Sequence, residues 1–298
     1  MRHLVITEVG MRDGFQMEPR FIPTETKIEI GLGLIGAGLR RIEATSFVSP
    51  KAVPQLSDAA EVVSALRGRG ATLSALVPNM RGAERALETG VDELVMFVSA
   101  SETHNIRNVN RTIAESLRSV VPVAEAVEKA GRVLRAAVPT AFGCPWQGNI
   151  SSDEVARVIE AFAAMGVRAV TLGDTTGMAT PPIVRRLCAD LAELFPEIEL
   201  TLHFHNTRGI GLVNVQAGIE AGIAHYESAL GGIGGCPFAV GATGNVCTED
   251  LAYLAAESGY ETGIGLHALI GVAKRLQEAL GYNLPGQVMK AGPRLNAA

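Results

Sequence analysis

Three observations predict an α/β fold, a (β/α)8 barrel with extra C-terminal helices. Eight strand-like runs alternate with helical stretches, at roughly 3–9, 39–46, 71–77, 91–98, 132–138, 167–173, 198–205 and 223–229. A helical stripe stops at a glycine and a β-like run begins at Gly38, Gly90, Gly131, Gly166 and Gly222. Glycine just past a helix end accepts the left-handed backbone that a Cβ resists. Finally, charged and metal-binding residue types gather where those strands end, the face on which a TIM barrel carries its chemistry.

The elements follow in chain order. The N-terminus, from Met1 to Ile6, enters a strand pattern at once, which leaves no room for a signal or transit peptide. Thr24 precedes an apolar stripe of Ile28, Leu32, Ile35 and Leu39, predicting the first helix. Ser151 and Glu154 are spaced as a capping box, ahead of a stripe of Val155, Val158, Ile159 and Phe162. Two further helices are expected near 248–258 and 265–280. No linker interrupts the pattern, so residues 1–298 read as a single domain. No Gly-x-Gly-x-x-Gly follows the first strand, which argues against a dinucleotide-binding open sheet.

Composition narrows the class. A hydrophobic content of 47% permits a large core, and an aromatic content of 5% requires small aliphatic residues to fill it. The net charge of −5 argues against nucleic acid as a partner. No apolar run reaches the roughly 18 residues of a membrane span. Cysteines at 144, 188, 236 and 247 form no CxxC pair, which suggests a reducing compartment, and hence the cytoplasm.

His203 and His205 close the seventh strand. Residues two apart on a strand share a face, so both imidazoles can reach one metal ion. Arg12 and Asp13 follow strand one, Glu43 lies late in strand two, and Asp174 ends strand six. Cys236 and Asn245 lie in the loop after strand eight. Each has a structural alternative. Asp13 and Asn245 can be turn residues, Arg12 and Glu43 salt-bridge partners, and Asp174 a helix cap. The coincidence of all of them at one rim is what favours chemistry. The last loop has six glycines between 231 and 245 but no Gly-Lys-Ser/Thr. It reads as a mobile lid carrying Cys236 rather than as a phosphate cradle. Cys188, inside a helical stripe, and Cys247 read as core residues.

At these residues the chain resembles the 3-hydroxy-3-methylglutaryl-CoA (HMG-CoA) lyase family. The segments that carry the resemblance are Glu8 to Gln16, Glu43 to Lys51, Val77-Pro78-Asn79, Ser99 to Glu102, Gly143-Cys144-Pro145, Gly173-Asp174-Thr175, His203-Phe204-His205 and Gly231 to Asp250. The resemblance implies a divalent cation, Mg²⁺ or Mn²⁺, held by Asp13, His203, His205 and Asn245. It implies cleavage of a 3-hydroxyacyl-CoA thioester to acetyl-CoA and a 3-oxo acid. Arg12 would stabilise the enolate oxygen, Cys236 would protonate the enolate carbon, and His203 or Asp13 would be the base. Glu43 and Asp174 would orient Arg12, ligands or substrate, and Glu249 would support the loop. A homodimer and a place in leucine catabolism are further implications. For the CoA moiety, Asn79, Arg81, Arg107 and Lys51 are candidates in loops after strands.

The chain departs from the family's pattern at Asn206, where a carboxylate is usual, at Arg208, where an aromatic is usual, and at Met11 and Met17. These changes bear on the acyl group. The alternatives are a lyase for a longer or differently branched thioester, a Claisen-type synthase of the isopropylmalate synthase superfamily, and a non-catalytic acyl-CoA-binding barrel.

Overall fold

The computed structural model describes residues 2–235 and 244–295. Eight parallel strands close into a barrel in sequence order. They are β1 (Val5–Glu8), β2 (Arg41–Ser46), β3 (Thr72–Leu76), β4 (Glu93–Phe97), β5 (Val133–Val138), β6 (Ala169–Asp174), β7 (Glu199–Phe204) and β8 (His225–Ser228). Closure comes from β8 against β1, with Val5 opposite His225 and Glu8 opposite Ser228. Each expected strand is present, with its ends within two residues of those expected. The expected glycine stops all have positive φ, from 63° at Gly131 to 103° at Gly38.

The helices are α1 (Thr24–Gly36), α2 (Ala59–Leu66), α3 (Met80–Thr89), α4 (Glu102–Val109), α5 (Ile113–Lys129), α6 (Ser152–Ala164), α7 (Pro181–Leu194), α8 (Gly211–Glu220), α9 (Thr248–Glu257), α10 (Leu266–Leu280) and α11 (Val288–Ala291). The capping box at the start of α6 forms as the spacing predicts, and Val155, Val158, Ile159 and Phe162 are its buried face. The two helices beyond the barrel's eighth unit, α10 and α11, include one that packs on α1, with Val272 against Gly33. Below the barrel, Arg2–His3 pairs with Tyr260–Glu261.

The face of α1 differs from the expected one. Its buried residues are Lys27, Ile30, Gly31 and Leu34, while Leu32 of the expected stripe is exposed. The true stripe lies one residue back, and two residues disguise it. Lys27 is buried because its ammonium donates to both oxygens of Asp58, at 2.7 and 2.9 Å, and to the Gln55 carbonyl at 2.5 Å. Gly31 is buried because Leu66 fills the space a Cβ would need. Hydrophobic periodicity scores neither residue as core.

Two local features place the site. β2 carries a register shift between Glu43 and Thr45 where it pairs with β3, a bulge that re-aims side chains at the barrel's C-terminal end. The segment Gly10–Gly14 after β1 winds into a single wide turn that carries Arg12 and Asp13 over the barrel mouth. Among the described residues no helix is long and apolar enough to cross a membrane.

Candidate metal centre

Asp13, His203 and His205 each present a ligand atom within 4.8 Å of the others, and all three are buried. β7 supplies the histidines, whose ring centroids are 5.1 Å apart. The turn after β1 supplies the aspartate. Asn245 joins them from the far end of the last loop. Its amide nitrogen donates to Asp13 Oδ2 at 2.8 Å and to the Ile233 carbonyl at 3.1 Å. Its backbone bridges that of His205. Asn245 is not a left-handed turn residue: the non-glycine residues with positive φ are Asn110 and Thr140 among those described.

The polar atoms left over are informative. His205 Nδ1, Asn245 Oδ1, Glu43 Oε1 and Asp174 Oδ2 are buried without a hydrogen-bond partner. An unpaired buried polar group costs about 1–3 kcal/mol, so orphaned atoms on His205 and Asn245, both part of the group that meets Asp13, call for an occupant. Two imidazole nitrogens, a carboxylate and an amide oxygen are a donor set for a divalent cation. The residues fit such an ion.

Arg12 lies beside this cluster, held from two sides. Its Nε and Nη2 each lie 2.8 Å from Glu43 Oε2, and its Nη1 lies 2.5 Å from Asp13 Oδ1. Gln16 also donates to Asp13 Oδ1, at 3.1 Å. Burial works against ionisation of Asp13, but Arg12, His203, His205 and the Asn245 hydrogen bond outweigh it and hold its pKa down to about 2. Glu43 is pushed up to about 7, chiefly by burial, with Arg12 pulling the other way. Burial and neighbouring His203 bring His205 down to about 4, the neutral form a ligand needs. For His203 burial works in that direction too, but a hydrogen bond to Glu227 reverses it, and its pKa is raised.

Asp174 takes both structural and chemical positions at once. Its Oδ1 accepts the backbone N–H groups of Met178 and Ala179, at 2.6 and 3.0 Å, which fixes the loop after β6. Its Oδ2 is the unpartnered atom, and burial raises its pKa to about 6. Glu249 accepts Gly231 N–H at 2.9 Å and so steadies the last loop. That loop also crosses Asp13 closely: a Cβ on Gly234 would meet the Asn245 amide at 2.7 Å, and Gly234 has φ of 105°. Cys236, expected as the proton donor of a lid, lies outside the described residues. Cys188 and Cys247 are buried, as expected of core residues.

The candidates for CoA are placed less uniformly. Arg81 and Arg107 lie on α3 and α4, not in loops. Asn79 spends its side-chain oxygen capping α3, accepting Gly82 N–H at 3.0 Å. The Arg107 guanidinium lies 4.7 Å from the centre of the Trp146 ring. Lys51 is exposed in the loop after β2. Asn206 engages the backbone at the start of a helix. Its oxygen accepts Gly211 N–H at 3.0 Å, at the start of α8. Arg208 is exposed and donates to the carbonyls of Thr176 and Gly177, at 2.9 and 2.6 Å, bridging the loops after β6 and β7.

The sequence reading missed Glu227. This glutamate of β8 lies opposite His203 in the register and accepts from its Nδ1 at 2.9 Å. The available signal was an acid at the third position of a four-residue strand, between buried Tyr226 and Ser228.

Known proteins resemble this chain over nearly its whole length. A family model described as HMGL-like matches residues 3–276. The 3-hydroxy-3-isohexenylglutaryl-CoA/hydroxymethylglutaryl-CoA lyase of Pseudomonas aeruginosa is 42% identical, over 96% of each chain. The (R)-citramalyl-CoA lyase of Chloroflexus aurantiacus is 40% identical, over 98% of this chain and 96% of its own. An HMG-CoA lyase structure from Acinetobacter baumannii, in complex with coenzyme A and 3-methylmalate, superposes with a TM-score of 0.94. It is 44% identical, and the match covers 99% of this chain and 97% of the other.

Proposed function

The chain belongs to the HMGL-like family, and from that premise we propose that it is a metal-dependent carbon–carbon lyase. It cleaves 3-hydroxy-3-methylglutaryl-CoA, or a thioester of that type, to acetyl-CoA and a 3-oxo acid, acetoacetate in the case of HMG-CoA. The observation that carries this reading is the buried convergence of Asp13, His203 and His205, with the orphaned Asn245 oxygen beside them.

Mg²⁺ or Mn²⁺ suits these ligands, and when bound it lowers the pKa of the substrate's C3 hydroxyl. The residues have separable tasks. The hydroxyl proton passes to a base at the centre; ionised Asp13 fits that task, while His203, its Nδ1 engaged by Glu227, serves as a ligand. The C2–C3 bond then breaks, its electron pair moving into the thioester as an enolate while C3 becomes a ketone. Arg12 meets the negative charge on the enolate oxygen with a guanidinium already fixed by Glu43 and Asp13, so no reorganisation is needed as charge develops. Cys236 delivers a proton to C2, completing acetyl-CoA; its assignment rests on the family resemblance. Asp174 shapes the loop after β6.

Asn79, Arg107 and Lys51 are proposed contacts for the CoA moiety, with residues 1–298 acting as one barrel domain. A homodimer and a cytoplasmic location complete the proposal. The unpaired thiols of Cys144, Cys188 and Cys247 suit a reducing compartment. Leucine catabolism follows if HMG-CoA is the substrate.

A panel of 3-hydroxyacyl-CoA thioesters with Mg²⁺ or Mn²⁺, including 3-hydroxy-3-isohexenylglutaryl-CoA and citramalyl-CoA, tests the reading through acetyl-CoA formation. We expect cleavage that chelation abolishes and added cation restores. Cleavage that survives chelation, or none with any thioester, would reject it.

A further inference from the structure

We propose that Glu227, braced by Thr171, is a positioning residue that fixes the His203 ring so that only Nε2 is left to face the cation. The geometry is closed on three strands. His203 Nδ1 lies 2.9 Å from Glu227 Oε2, and Thr171 Oγ1 lies 2.7 Å from Glu227 Oε1. Both carboxylate oxygens are thus engaged, one by β7 and the other by β6, while the acid itself sits on β8. The three strands are adjacent in the barrel, so the backbone ladder sets these side chains together.

A carboxylate can only accept. Its bond to Nδ1 therefore places the ring proton on that nitrogen and leaves the lone pair on Nε2. The same bond fixes the ring's rotation and raises its basicity as a ligand. His205 has no such support, since its Nδ1 lacks a partner. The two imidazoles are therefore unequal: one is braced from below, and the other takes its place from the strand end.

This inference rests on the cation reading above, and the test separates the two. Glu227→Ala, Glu227→Gln and Thr171→Val proteins are titrated with Mn²⁺ by electron paramagnetic resonance. The ring nitrogens of His203 are read by ¹⁵N NMR in the metal-free proteins, well above neutral pH. The wild type should show Nδ1–H alone. Glu227→Ala should lose that single tautomer and weaken Mn²⁺ binding about 10–100-fold. Glu227→Gln keeps an acceptor oxygen, so it should keep the tautomer and lose less affinity. Thr171→Val should cost a few-fold. An unchanged tautomer and unchanged affinity in Glu227→Ala would overturn the proposal. If that protein does not fold, wild-type affinity in both Glu227→Gln and Thr171→Val would overturn it. A wild type that binds no Mn²⁺ would sink the cation reading, while the tautomer would still decide the role of Glu227.

Discussion

Both ends of this barrel are filled with charge, but they are filled differently. At the end where the strands begin, Arg41 donates to both oxygens of Glu93, at 2.9 and 3.0 Å. Arg135 donates to Glu199 at 2.9 Å and to Thr201 at 3.2 Å, and its Nε lies 3.8 Å from Glu93. His225 lies 3.6 Å from Glu199. None of these residues is left with a buried unpartnered polar atom. At the end where the strands finish, Asp13, Glu43, Asp174, His203 and His205 gather with the Arg12 guanidinium, and orphaned atoms remain. Charges at the base satisfy one another and stop there. Those at the rim are organised toward something not made of this chain. Buried charge alone therefore does not mark a functional site; buried charge with unmet valence does.

Substitutions at the two ends should separate stability from turnover. The largest effect is expected at the rim. Arg12→Gln should lower kcat about 100- to 1000-fold with a native circular dichroism spectrum, because it removes a donor aimed at developing charge. A kcat within a few-fold of wild type would remove Arg12 from the chemistry. Arg135→Met should do the reverse. Breaking a buried pair costs about 3–5 kcal/mol, read as a lower Tm, while kcat/KM stays within about 3-fold. A large loss of turnover without loss of stability would break the division drawn here.

Asp174 sharpens the comparison through pH. Its pKa is raised from 3.8 to about 6 in the fold, chiefly by burial. A carboxyl raised in this way favours folding while protonated, and that contribution fades as pH rises through the folded value. Metal-free protein should therefore lose up to about 3 kcal/mol between pH 3.8 and 6 from this group. Asp174→Asn should flatten that slope in denaturant titrations; an unchanged slope would show that the carboxyl is not buried at such cost. The smallest effect is expected at Arg208→Gln, a loss of about 1 kcal/mol for two hydrogen bonds to carbonyls. KM for the preferred thioester should move no more than a few-fold. A larger rise would mean that the guanidinium touches substrate.

The barrel was legible because its signals are local: glycine at five helix stops, a capping box before α6, and strand patterns of the right length. The metal cluster was legible for a different reason. His203 and His205 share a strand face by geometry, and a barrel gathers strand ends, whereas Asp13 and Asn245 entered as ligands through the family resemblance. The buried face of α1 was not, because a lysine paired with Asp58 and a glycine under Leu66 do not look like core. Glu227 was not, because its meaning depends on which strand lies beside it. The role of Asn206 was not legible either, because adjacency in sequence to His205 does not tell which backbone its side chain meets; it accepts at the start of α8.

Anomalous X-ray diffraction from crystals soaked in Mn²⁺ tests the central claim most directly. The account predicts one strong peak within about 2.3 Å of an Asp13 carboxylate oxygen, His203 Nε2, a His205 ring nitrogen and Asn245 Oδ1. A peak held by other residues, or none at saturating Mn²⁺, would contradict it.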